Sequence, residues 1–123
     1  MRREQRLRKS SDFATAYREG RSFSGRLLVI RPRANGLPQN RYGFVTSRAV
    51  GKAVMRNRLR RRLREAVRSL PLVNGWDVVV IGRRSAAEAT YGQLREALAA
   101  LLERAGLVAE AKADEAPEKV GEK

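Results

Sequence analysis

Apolar positions along the chain recur with two periods, about 3.6 residues in some stretches and 2 in others, and the changes between them mark the elements. After a basic opening segment, Ser10 and Ser11 stand as N-caps. Phe13, Ala16 and Tyr17 follow at i, i+3 and i+4, and Gly20 suits a C′ position, which predicts a short first helix. Leu27 to Arg31 and Arg41 to Ser47 read as strands, and the turn residues Asn35, Gly36 and Pro38 between them predict that the two pair as a hairpin. Arg21 to Ser24 offers a short edge strand. A second helix begins near Ala53, where Met55, Leu59, Leu63, Ala66, Val67 and Leu70 fall on one arc. Pro71 and Asn74-Gly75 end it, and Trp76 to Gly82 reads as a buried strand. A final helix starts from Thr90, whose spacing to Gln93 makes a capping box, with Leu94, Ala97, Leu98, Leu101 and Leu102 as its core stripe and Gly106 at its C-terminal end. The expected order is α-β-β-β-α-β-α.

The pattern fades at both ends. Residues 1–9 carry five basic side chains and read as an extended or flexible arm, while residues 109–123 have no apolar period and read as a disordered acidic tail. Between arm and tail there is material for one core, because a chain of 123 residues buries only roughly two-thirds of its unfolded surface. The expected division is thus a single domain over residues 1–108 and a tail over 109–123.

Charge sharpens this picture. The whole chain has 27 Lys and Arg against 13 Asp and Glu, for +14, and setting aside the tail's three lysines and five acids leaves residues 1–108 at +16. Such an excess repels itself and steers the molecule toward polyanions. Within the body only Lys9 and Lys52 are lysine. Arg binds phosphate bidentately and stacks on bases; a GC-rich coding sequence would produce the same bias, and composition does not choose between the two.

The residue types that are missing exclude whole classes of chemistry. There is no Cys and no His, so disulfides, thiolate catalysis, Cys/His zinc sites and His-based triads are ruled out. Asp12, Glu19, Glu65 and Asp77 are scattered acids with ready structural uses, and Gly51-Lys52 lacks the glycine spacing of a phosphate-binding loop. No catalytic or metal-binding residue is assigned. The longest apolar run is far short of the roughly 20 residues that span a bilayer, and no apolar signal-peptide core follows the basic start, so a soluble, cytoplasmic protein without a membrane partner is expected.

The second helix concentrates the charge. Lys52 to Arg68 holds eight cationic residues and one acid, Glu65, with Asn57, Arg58, Arg60, Arg61, Arg64 and Arg68 on the arc opposite the apolar one. A solvated helix face normally alternates signs, because like charges at i, i+4 each cost a few tenths of a kcal/mol. This face therefore reads as a polyanion-binding surface. Among the aromatics, Tyr42 and Phe44 share a strand face with Thr46, and Phe44 reads as core. Phe13 and Tyr17 fit either a core or a platform leaning over Val29 and Arg31, on which unpaired bases stack at about 1–3 kcal/mol each.

The stretch Arg41 to Arg68, RYGFVTSRAVGKAVMRNRLRRRLREAVR, resembles the signature of the protein component of bacterial ribonuclease P, with its Arg56-Asn57-Arg58 motif followed by Arg60, Arg61 and Arg64-Glu65. Flanking matches occur in order: Arg6-Leu7, Asp12-Phe13, Tyr17 and Gly20 before it, and Asp77 to Arg84 with Thr90-Tyr91 after it. The resemblance implies an α/β fold, an α+β two-layer sandwich similar to the second domain of ribosomal protein S5, with a left-handed βαβ crossover through the basic helix, against the usual hand. It also implies that catalysis belongs to a large RNA using Mg²⁺, which the RNA subunit mainly binds, and that precursor tRNA is the substrate. No obligate protein partner is implied.

Carried onto this chain, the resemblance assigns Arg56, Asn57, Arg58, Arg60, Arg61, Arg64 and, along the same face, Arg68 to contacts with the catalytic or substrate RNA. It assigns Phe13, Tyr17, Val29 and Arg31 to a cleft for the single-stranded 5′ leader, which favours the stacking role for the two aromatics. Lys52 stands where many relatives have Asn, and Arg31 where some have an aromatic; a guanidinium stacks as well. The expected function is removal of 5′ leaders from precursor tRNA as a subunit of that endoribonuclease. The rival functions are a structured-RNA or ribosomal binding module of the same fold, and a cationic membrane-surface or DNA-compacting protein.

Overall fold

The computed structural model describes residues 6–7 and 21–109, so the predicted first helix, with Phe13 and Tyr17, and the acidic tail from residue 110 lie outside the described residues. Within them the chain forms β1 (Phe23–Ser24), β2 (Leu28–Ala34), β3 (Arg41–Thr46), helix α1 (Ala53–Arg68), β4 (Trp76–Gly82) and helix α2 (Tyr91–Arg104). Single 3-10 turns at Arg48–Val50 and Arg84–Ala86 follow the ends of β3 and β4. The strand that the sequence places at Leu27 to Arg31 runs on to Ala34, through Pro32.

One expectation is overturned. β2 and β3 do not form a hairpin; the sheet order is β1-β2-β4-β3, with β4 antiparallel to β2 and parallel to β3. The reason lies in β4, whose Asp77, Val78, Val79 and Val80 are all buried. A strand with apolar side chains on both faces loses burial at an edge, so it takes the centre and separates its neighbours. The β2–β3 connection serves this arrangement. Asn35 N–H donates to the Gly75 carbonyl at 2.9 Å, and the buried Asn40 side chain accepts from Trp76 N–H and donates to the Val73 carbonyl, both at 2.7 Å. Loop residues that would have closed a hairpin instead fasten the entry of β4.

The pairing register sorts the side chains into two faces. Leu28, Ile30, Tyr42, Phe44, Val78 and Val80 face both helices and form the main core with Leu59, Leu63, Leu94, Leu98 and Leu102. Val79 turns the other way with Val45, Ile81 and Leu7. Helix α1 comes close to the sheet because β4 ends in glycine: a Cβ on Gly82 would meet Leu59 Cδ2 at 2.7 Å. Helix α2 has the expected capping box, Thr90 with Gln93. It ends in a Schellman turn, where Gly106 at φ 79 donates to the Glu103 carbonyl and Leu107 to that of Leu102.

One buried carboxylate links β2, β4 and β3 on the face away from the helices. Asp77 is 1% exposed and lies in register between Arg33 and Arg41. Arg41 grips it through Nε at 2.9 Å and Nη2 at 2.8 Å, Asn35 Nδ2 donates at 2.9 Å, and Arg33 stands 3.9 Å away. The structural role expected of Asp77 is thus filled by a forked, hydrogen-bonded pair.

Two stability predictions follow from this core. Asp77→Ala removes the buried carboxylate that Arg41 and Asn35 hold and is expected to cost about 3 kcal/mol, toward the low end for a buried pair because Arg41 keeps some solvent; urea unfolding of the two proteins measures it. Burial pushes the Tyr42 phenol above its ordinary value, with the Asn40 hydrogen bond opposing. The folded state therefore favours neutral Tyr42, and its contribution is intact below pH about 10 and lost as pH rises through the higher folded pKa. Unfolding free energy followed across that alkaline range is expected to fall more steeply for the wild type than for Tyr42→Phe.

Candidate nucleic-acid interface

Helix α1 holds its charge in place by packing. Leu59, Leu63, Ala66 and Val67 are buried, and three large apolar side chains at about 1.5–3 kcal/mol each outweigh like-charge repulsions of a few tenths per pair. The opposite arc is left to the cations. Asn57, Arg58, Arg61 and Arg68 are exposed, while Arg56, Arg60 and Arg64 are half-buried along its flanks.

The flanking arginines are fixed by the sheet below. Arg60 Nη1 donates to Thr46 Oγ1 at 3.0 Å and its Nη2 donates to Asn57 Oδ1, which orients the amide of the Arg-Asn-Arg motif. The Arg64 guanidinium lies over the Phe44 ring, 5.7 Å from its centre. Phe44, expected in the core, is half-buried and has this second use. Arg62 takes no part in the cationic arc, because its Nη1 donates to the Ala89 carbonyl at 3.0 Å and ties α1 to the chain ahead of α2.

The electrostatics show an unbalanced surface. Glu65, the one acid on the helix, pairs with Arg68 at 3.1 Å in an exposed i,i+3 contact, of the kind worth only tenths of a kcal/mol. Burial first, and then the neighbouring charges of Arg6, Arg60 and Arg61, hold the Arg64 guanidinium below its ordinary pKa. The Nε atoms of Arg56 and Arg64 are buried without a hydrogen-bond partner among the described residues. Repelling guanidiniums with spare donors are what a polyanion relieves.

Val29 and Arg31 do not join this surface. They lie in register with Ile81 and Val79, on the sheet face turned away from both helices. The described residues named from sequence therefore fall on two surfaces separated by the thickness of the sheet. One carries the α1 cations; the other has the apolar floor of Val29, Val45 and Ile81 beside Arg31.

A third cationic place went unnoticed in the sequence. A groove of about 840 Å³ is lined by Arg26, Val50, Met55, Arg83, Arg84 and Glu88 among others. The antiparallel β2–β4 register sets Leu28 opposite Gly82 and so brings Arg26, just before β2, to the arginines just after β4. Arg83 N–H donates to the Leu27 carbonyl at 3.0 Å, closing that end. The doublet Arg83-Arg84 after a buried strand was the available signal, but its partner depends on the strand order.

Comparisons with known proteins agree with this architecture. The ribonuclease P family model matches residues 1–106. The ribonuclease P protein component of Symbiobacterium thermophilum is 43% identical over 112 residues, covering 88% of this chain and 96% of that protein. That of Roseiflexus sp. (strain RS-1) is 41% identical over 111 residues, covering 88% and 91%. Among solved structures, the Staphylococcus aureus RNase P protein superposes with a TM-score of 0.77 at 29% identity over 85% of this chain and 98% of that one. The Thermotoga maritima RNase P protein gives 0.72 at 36% identity over 80% and 96%. The chain belongs to the ribonuclease P protein family, and its place is that of a protein subunit in a tRNA-processing ribonucleoprotein.

Proposed function

We propose that this subunit binds the catalytic RNA of ribonuclease P through the cationic arc of α1 and binds the single-stranded 5′ leader of precursor tRNA across the opposite face of the sheet. The observation that carries this reading is the arc itself. Arg58, Arg60, Arg61 and Arg64 face one side of a helix whose single carboxylate pairs with Arg68, and Arg56 stands at the flank of that side. Phosphates placed there replace mutual repulsion by charge-assisted hydrogen bonds and release counterions.

The leader reading rests on a different chemistry. A floor of Val29, Val45 and Ile81 beside the Arg31 guanidinium suits unstacked bases better than a duplex, since bases stack on apolar and guanidinium surfaces. Phe13 and Tyr17 would add aromatic planes to it. Contacts that exist for precursor and not for mature tRNA raise affinity for substrate over product. The groove at Arg26, Arg83 and Arg84 offers further phosphate donors where β2 begins and β4 ends.

Bond cleavage is assigned to the RNA, with Mg²⁺ held mainly there. Among the described residues no three Asp, Glu, His or Cys side chains converge on a metal position. The part left to this chain is to neutralise phosphates around that centre, which favours cation retention by the RNA. A cytoplasmic setting fits a partner RNA and a tRNA substrate, and no described helix is long and apolar enough to cross a membrane.

Reconstitution with a cognate catalytic RNA at near-physiological Mg²⁺ tests the whole reading; a gain in leader cleavage and in precursor affinity is expected, and its absence would refute it. Arg61→Ala is expected to weaken assembly with the RNA about 5- to 10-fold and to reduce the slope of log affinity against log salt by about 1, measured by titration at several salt concentrations. Phe13→Ala combined with Tyr17→Ala is expected to leave assembly intact and to cut the preference for precursor over mature tRNA by about 10-fold or more. Equal losses in both assays would overturn the division between the two surfaces.

A further inference from the structure

Strand β3 is the edge of the sheet, and a short piece of the N-terminal segment is laid along it. Arg6 bridges Tyr42 in parallel, and Leu7 N–H donates to the Tyr42 carbonyl at 2.8 Å. Successive residues of an extended segment point to opposite faces. Arg6 thus shares the face of its neighbour Tyr42, which is the α1 side. Leu7 turns to the other side, where it is 6% exposed against Val79, with Val45 and Ile81 beside it.

On the α1 side, Arg6 meets company of its own sign. Arg60 and Arg64 are both drawn over β3, one onto Thr46 and the other onto Phe44, and Arg61 adjoins them on the helix. Arg6 is near enough that its charge, next after burial, is the largest influence lowering the Arg64 pKa. The Arg64 Nε has no hydrogen-bond partner among the described residues. Four guanidiniums from two separate parts of the chain therefore converge at the edge of β3, and the repulsion among them works against the docking of Arg6–Leu7.

We propose that Arg6, Arg60, Arg61 and Arg64 form one phosphate-binding site at the β3 edge, and that filling it fastens the Arg6–Leu7 segment to the sheet. The ligand is a phosphodiester of the RNA that α1 is read as binding, so the identity of the ligand rests on that reading. The site has a consequence on the far face. Because Arg6 and Leu7 are adjacent and point oppositely, a phosphate on one side presses Leu7 onto Val79 on the other, beside the floor assigned to the leader. RNA held at α1 and a strand held on the opposite face then favour one another reciprocally, as linkage requires.

Hydrogen exchange on the full-length protein tests this without any RNA, at the Leu7 amide that donates to Tyr42. Inorganic phosphate is expected to slow exchange at Leu7 about 5-fold or more beyond sodium chloride at equal ionic strength. Arg6→Gln is expected to abolish that difference, and Arg6→Lys to restore part of it. An equal effect of chloride, or an undiminished phosphate effect in Arg6→Gln, overturns the site. These outcomes are separate from the RNA reading, which stands or falls on the Arg61→Ala titration: a failure there with a phosphate response at Leu7 leaves the site and removes only its proposed ligand.

Discussion

Strand β4 has apolar side chains to bury on both of its faces, and only a central position lets it do so. Val78 and Val80 go under the helices, Val79 goes to the far face, and each is at most 1% exposed. Everything else is arranged around that demand. β2 and β3 are held apart, α1 becomes the connection between the two parallel strands β3 and β4, and the ends of β2 and β4 meet. Asp77 at the start of the same strand links Arg33 and Arg41 across it, so a buried carboxylate reinforces the central pairing.

The helix connection then decides where the charge goes. α1 is clamped to the sheet by its leucines and by the close approach that Gly82 permits. A helix with this much charge of one sign is poorly stable alone, but a packed face makes its cost affordable. The charges consequently stand in a fixed pattern, with Arg60 and Arg64 oriented by Thr46 and Phe44. Preorganised donors lose less freedom on binding than free side chains. The same clamping keeps the guanidiniums close enough to repel.

The α1 cations and the apolar floor beside Arg31 lie on opposite sides of one sheet. The sheet between them is thin, and β3 is reachable from both sides. Residues on adjacent strand positions are thereby neighbours in sequence and yet lie on different faces of the sheet, as Arg6 and Leu7 do.

Much of this was legible along the chain because it is local. The start of α1, the capping box of Thr90 and Gln93, the glycine end of α2 and the buried run of β4 all depend on residues within a turn or two of each other, and they appear where the sequence places them. The Arg56-Asn57-Arg58 motif and its order among the flanking matches pointed to the family. The hairpin expectation failed for the complementary reason: turn residues at 35–38 say that the chain reverses, but not that a strand forty residues later will enter between the two arms. Strand order is set by competition for buried positions across the whole molecule, and so are the features that follow from it. Those are the separation of Val29 and Arg31 from the α1 cations, the meeting of Arg26 with Arg83 and Arg84, and the convergence of Arg6 on Arg64. Sequence by itself determined which residues carry charge and which segments coil or extend; only the tertiary structure decided which of those charges share a surface, because that depends on long-range burial rather than on spacing.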